Sequence, residues 1–203
     1  MMKRTPFSSA PPSASRRPIL LLVVLALGLA GGARADEVYL TPEEAPAAVF
    51  PDADRFERSS VEATEDLRTR VRTRLGKLNP TVWERRYPMA VAYRGDEPLG
   101  TSIVVEEIGK HRAITFVVGV DPSGEVAGVA VMAYREAYGG EVRSRRFLAQ
   151  YRGKSAEDAL MPGDDVRNLA GATLSARAIG RGVKKAIAVL SSVEPPPLHV
   201  GRR

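Results

Sequence analysis

Apolar and polar positions recur along this chain in two rhythms, and the change between them falls near Pro88. Before it the spacing is helical. "TPEEAPAAVF" opens with a Thr-Pro-Glu-Glu start and stops near Pro51, a capping hydroxyl followed by proline and acids in the first turn. "ATEDLRTRVRTRLGK" places Leu67, Val71 and Leu75 on one stripe, with Thr64 as cap, Glu65 and Asp66 in the first turn and Gly76 as stop. Its arginines, Arg68, Arg70, Arg72 and Arg74, read as a solvated face. After Pro88 the period becomes that of strands. "MAVAYRGDEPLGTSIVVEEIG" predicts two strands around a Gly-Asp-Glu-Pro turn. "RAITFVVGVDPSGEVAGVAVMAYRE" predicts a hairpin in which Ile114, Phe116, Val118 and Val120 share a face and Asp121-Pro122-Ser123-Gly124 turns the chain. Gly139-Gly140 breaks the pattern, Arg145 to Tyr151 predicts a short helix ended by Gly153, and "DALMPGDDVRN" a loop. A last helix is expected from about Leu174 to Ser191. Its apolar face is Ile179, Val183, Ala186, Ile187 and Leu190, and its basic face Arg177, Arg181, Lys184 and Lys185. This order gives an α+β fold, a twisted antiparallel sheet with packed helices.

The first 35 residues change the reading of charge. "MMKRTPFSSAPPSASRRP" is basic and free of acids, "ILLLVVLALGLA" is apolar, and Ala33-Arg34-Ala35 fits a small-residue cleavage site. These are the parts of a secretory signal peptide with cleavage expected after Ala35, and Ser15-Arg16-Arg17 is a hint of twin-arginine export. The apolar run, Ile19 to Ala30, is short for a membrane span; retention as an anchor, with membrane association, is the alternative. Of 30 Lys and Arg residues five lie in this segment, and none of the 24 acids does. The remainder is close to neutral, which argues against a nucleic-acid partner. Cysteine is absent and only His111 and His199 represent histidine. Thiol chemistry, disulfides and a metal centre built on Cys or His are not expected.

Candidate chemistry concentrates in "NLAGATLSARAIGRGVKKA", residues 168–186. Thr173 stands at the start of the last helix, where open N–H groups and the helix dipole favour a phosphate. Gly171 permits close approach to the backbone, and Arg177 lies one turn on, roughly on the side of Thr173. The same residues also suit a plain helix cap. Neither a histidine partner nor a Gly-x-Ser-x-Gly elbow accompanies the hydroxyl, so a self-activated hydrolase is the weakest reading.

"GATLSARAIGRGVKKAIAVL" resembles the C-terminal signature of the FMN-binding domain family, found in the C subunit of the sodium-pumping NADH:quinone reductase and the G subunit of the Rnf complex. "VVGVDPSGEVAGVAVMAYRE" resembles the central hairpin of that family, "YREAYGGEVRSRRFLAQYRGK" its Glu-x-x-Gly segment and Gly-Lys, and "AAVFPDADRFE" its N-terminal entry. The resemblance implies FMN joined through its phosphate to Thr173 by a separate flavin transferase that draws on FAD. Gly171, Ala172, Leu174, Ser175 and Arg177 would surround the attachment, with Tyr138, Gly139, Gly140 and Glu141 as further cofactor contacts. Tyr134, Tyr138, Phe147 and Tyr151 are candidates for stacking on the flavin ring, with core packing as their other role. Arg135 and Glu136 read as a surface pair. One departure stands out: Arg167 occupies the place of the Asp of the transferase motif and Ala170 that of its hydroxyl, with Asp164 and Asp165 nearby as substitutes.

The expected organisation is a signal peptide over 1–35, a helical segment over 36–87, the FMN-binding domain over 88–192 and a Pro-rich tail over 193–203. The expected function is an exported, periplasmic or otherwise extracytoplasmic electron-transfer flavoprotein, exchanging electrons with a membrane or quinol-linked partner. The alternative is a non-catalytic adaptor of the same fold without covalent flavin.

Overall fold

A computed structural model describes residues 37–193. The expected leader, and the expected tail beyond residue 193, lie outside the described residues. The chain forms strands β1 (Glu37–Val38), β2 (Arg55–Glu62), β3 (Arg86–Arg94), β4 (Glu97–Ile108), β5 (Ala113–Val120) and β6 (Val126–Tyr134). Its helices are α1 (Ala45–Val49), α2 (Glu65–Leu75), α3 (Arg145–Leu148) and α4 (Thr173–Leu190). All strands join one antiparallel sheet in the order β1-β6-β5-β4-β3-β2. This is the α+β arrangement that the order of periodic segments implied.

Local chemistry explains each predicted element. Thr64 Oγ1 accepts the Leu67 N–H at 3.2 Å, and Leu67, Val71 and Leu75 are buried along α2. Asp121 Oδ1 accepts the N–H groups of Ser123 (2.9 Å) and Glu125 (3.0 Å), which closes the β5–β6 turn. Along β5 successive side chains go to opposite faces. Ile114, Phe116, Val118 and Val120 join the larger core with α2 and α4, while Val117 joins the smaller one with Ala45 and Val49 of α1 and Phe50 just after it. The sheet is therefore covered on both sides, and α4 lies along β4 and β5.

Close packing of α4 depends on Gly182. A Cβ there would fall 2.2 Å from the Phe116 ring. Gly182→Ala is expected to destabilise the fold by about 1–3 kcal/mol through overpacking, read as a shift of the urea midpoint at unchanged slope.

Two expectations are corrected. Residues 36–87 are not simply helical: β2 pairs with β3 along its whole length, and β3 begins at Arg86. In β2 only Phe56 and Val61 are even half-buried, so this edge strand carries almost no apolar alternation to read. Lys185 does not belong to a solvated basic face but is fully buried. Its Nζ lies 2.7 Å from Glu106 O, 2.9 Å from Val82 O, 2.9 Å from Glu84 Oε1 and 3.1 Å from Glu107 Oε1. Glu107 Oε2 accepts the Thr81 N–H (3.0 Å), the Thr81 hydroxyl (2.6 Å) and Arg181 Nε–H (3.3 Å). Two bases thus meet two acids under α4, and the burial of each charge is matched by a partner. Above them the Tyr87 hydroxyl is buried beside Glu84. Burial, reinforced by that carboxylate, pushes its pKa well above the usual tyrosine range.

Candidate functional site at the start of the last helix

Four segments meet at one end of the sheet: β1, the β4–β5 turn, the chain after β6 and the start of α4. Glu37 and Val38 pair with Tyr134 and Ala133. The Tyr134 hydroxyl donates to Tyr138 O at 2.5 Å and lies 3.0 Å from Ser175 Oγ. Gly139 fits into the space this leaves. Its φ is 84°, and a Cβ would stand 2.9 Å from the Tyr134 hydroxyl and 3.1 Å from Ser175 Oγ. No residue with a side chain fills that position without moving the hydroxyl pair.

The β4–β5 turn is fastened to the same place by Glu136, whose Oε1 accepts the N–H groups of Lys110 (2.6 Å), His111 (2.5 Å) and Arg112 (2.9 Å). Burial opposes ionisation of this carboxyl, but the three N–H bonds outweigh it and hold its pKa below the usual glutamate range. Arg135 bonds to Ala113 O (3.2 Å) and Thr115 Oγ1 (2.8 Å). The expected surface pair of Arg135 and Glu136 is thus corrected. Both are half-buried, Glu136 on the N–H groups of the β4–β5 turn and Arg135 on Ala113 O and the Thr115 hydroxyl at the start of β5, and a half-buried polar group left without a partner would cost more than a solvated ion pair returns.

At the helix start, Gly171 has φ 78° and nothing within 4 Å of its missing Cβ, and Ala172 stands at the capping position. Alanine offers no acceptor, and no side chain caps α4. The N–H groups of Thr173, Leu174 and Ser175 precede the first turn's acceptors and have no protein partner outside the helix. Thr173 is half-buried at this mouth, with Asn168 Nδ2 donating to its Oγ1 at 3.2 Å. Ser175 is 4% exposed and committed to Tyr134, so the two neighbouring hydroxyls differ in access. Arg177 is exposed and makes no hydrogen bond or ion pair with the described residues. The arrangement fits a phosphate group: uncapped N–H donors, an accessible hydroxyl among them and an uncommitted guanidinium one turn away.

The structure brings together Thr173, Gly171, Ala172, Leu174, Ser175, Tyr138 and Gly139. Gly140 and Glu141 lie on the short 3₁₀ turn Gly140–Arg143, which packs on α4. Glu141 is exposed there and accepts the Ser144 N–H through its carbonyl. Of the four aromatic stacking candidates only Tyr138, 86% exposed, is available for a ring. Phe147 and Tyr151 pack edge to face in the core at 5.8 Å, and Tyr134 is buried with its hydroxyl engaged. Their helical or strand spacing was that of core positions. Asp165, one of the two acids near the place of the motif's Asp, is half-buried and engaged. It pairs with Lys154 (2.9 Å) and accepts the Met161 N–H (3.1 Å), which overcome its burial and keep its pKa low.

Asn168 is the site residue that sequence reasoning missed. Its only signal was position, five residues before Thr173 on a loop that Gly171 folds back.

Comparison with the curated proteins finds no match. Among solved structures, the crystal structure of Shewanella oneidensis NqrC is similar at 17% identity and a TM-score of 0.48, over 70% of this chain and 70% of that one. Residues 109–188, which run from the β4–β5 turn almost to the end of α4 and include Thr173, match the model of the FMN-binding domain family.

Proposed function

We propose that this chain is an exported electron-transfer flavoprotein whose FMN is linked through its phosphate to Thr173 Oγ by a separate flavin transferase. The observation that carries the reading is the uncapped start of α4, with its accessible hydroxyl inside the segment that matches the FMN-binding domain. The N-terminal leader pattern supports export to a periplasmic or extracytoplasmic compartment. FMN supplies the redox chemistry, and the protein supplies attachment, orientation and electrostatics.

In the loading step the Thr173 Oγ–P bond forms as the pyrophosphate P–O bond of FAD breaks. AMP leaves, and the hydroxyl proton passes to a base of the transferase. The chain's own contribution is positional. The Leu174 and Ser175 N–H groups and Arg177 would stabilise the phosphodiester charge, and Asn168 Nδ2, donating to Oγ1, would occupy one of its lone pairs and limit rotation of the hydroxyl. Co-expression with a flavin transferase is expected to give a yellow protein whose fluorescent band survives SDS, and expression without the transferase a colourless one. A colourless protein in both cases, with the Thr173 peptide at its unmodified mass, overturns the reading and favours the adaptor alternative, to which Arg167 and Ala170 in the motif point. Asn168→Ala is expected to slow flavin incorporation by about tenfold to a hundredfold while the final adduct stays on Thr173, as a time course of in-gel fluorescence and peptide mass would show.

A further inference from the structure

Charge and apolar surface are distributed unevenly over this molecule. The large apolar side chains left exposed among the described residues are Val38, Tyr39, Tyr138 and Leu174. All four sit at the end of the sheet that carries Thr173. Val38 lies on β1 beside β6, and Tyr39 packs under Arg143, whose guanidinium is 4.3 Å from its ring. Tyr138 hangs from the loop pinned by Tyr134, and Leu174 follows Thr173. Soluble surfaces rarely gather apolar side chains in this way without a use for them.

The rim of that patch is basic. Strand β1 and the segments 109–112, 135–146 and 167–177 hold eight Lys or Arg residues against three Glu, whereas the rest of the described chain carries more acids than bases. Of the three acids, Glu136 is engaged by three backbone N–H groups and Glu37 lies 3.9 Å from Arg143; Arg112 and Arg135 are engaged as well. Lys110 in the β4–β5 turn and Arg145 and Arg146 at the start of α3, which packs on the 3₁₀ turn that carries Arg143, are exposed, and a single phosphodiester at Thr173 would leave the balance positive. An apolar centre with tyrosine, ringed by arginine, has the anatomy of a protein docking face, and its one-sided charge selects the partner.

We infer that this end of the domain is a docking face for a protein with an acidic surface, which approaches the flavin over Tyr138 and Leu174. That the partner is a redox protein rests on the reading of Thr173 as flavin acceptor; the surface itself does not. The transferase and the electron-exchange partner both have to reach Thr173 across the same rim, so both are expected to present acids.

The test uses the full chain without flavin, immobilised, with an acidic plant-type ferredoxin and a basic cytochrome c as probes. Ferredoxin is expected to bind at low ionic strength, to weaken as salt rises, and to outcompete cytochrome c. The Lys110→Glu, Arg145→Glu, Arg146→Glu triple variant should weaken ferredoxin by roughly tenfold or more and gain cytochrome c binding. Tyr138→Ala with Leu174→Ala should weaken it with the salt slope unchanged. Equal binding of the two probes, or a triple variant that behaves like the parent with an unaltered circular dichroism spectrum, overturns the inference. So does a chain that ignores ferredoxin but sediments with vesicles of anionic phospholipid, which would assign the face to a membrane surface. Flavin loading is scored separately by in-gel fluorescence, so failure of the docking proposal and failure of the attachment reading are distinguishable.

Discussion

Thr173→Ala, co-expressed with a flavin transferase, is expected to yield a protein with the parent's circular dichroism spectrum and no SDS-resistant flavin fluorescence. The loss should be complete rather than partial, because the other hydroxyl in the first turn cannot take over. Ser175 Oγ is buried and bonded to Tyr134, and a nucleophile must first be reached. Stability should change by at most about 0.5 kcal/mol. The capping position belongs to Ala172, and the Thr173 side chain accepts only one exposed bond, from Asn168. Thr173→Ser should keep the band, and so should Ser175→Ala. A band that persists in Thr173→Ala moves the attachment elsewhere and removes the role assigned here to the start of α4.

The largest effect on stability is expected at Lys185. Lys185→Met keeps most of the side-chain volume and deletes one charge. It leaves Glu84 and Glu107 facing each other in the core beside two carbonyl groups that lose their donor. Removal of one member of a buried charge pair costs about 3–5 kcal/mol; here Glu84 loses its basic partner, while Glu107 keeps Arg181 and Thr81. Urea denaturation should show the loss as a lower midpoint. Lys184→Met next door is the control. Lys184 reaches only Ala156 O, through an exposed bond of 3.4 Å, and should move stability by less than about 0.5 kcal/mol. Parity between the two variants would mean that the buried network contributes no net stability.

The same lysine marks the limit of what the sequence discloses. Helix α2 was legible to its cap and stop, since Thr64, Leu67, Val71, Leu75 and Gly76 act through neighbours within one or two turns. The β5–β6 hairpin was legible for the same reason, with Asp121 and Gly124 closing a local turn. Lys185 looked like its half-buried neighbour Lys184 because its acceptors, Val82, Glu84, Glu106 and Glu107, come from a loop and a strand that lie between 78 and 103 positions upstream. Nothing local to α4 announces them. Strand β2 escaped for the opposite reason: at the sheet edge with one face in solvent, it has little apolar pattern to display. At the candidate site, Thr173 and its glycine were visible as a motif. The contacts that orient them, Asn168 on the hydroxyl and Tyr134 on Ser175, depend on how the loops fold back and became visible only in three dimensions.

Helix α4 runs from the Thr173 end to Leu190, which lines a groove with Val120 and Pro122 at the far side of the β5–β6 hairpin. Eighteen helical residues span about 27 Å. Strand β1, by contrast, brings Glu37 alongside Tyr134. The described residues therefore begin at the Thr173 end of the sheet and close at the opposite end. On the reading of Thr173 as flavin acceptor, a fluorophore at residue 193 is expected to leave flavin loading unchanged, whereas one at residue 37 is expected to slow it.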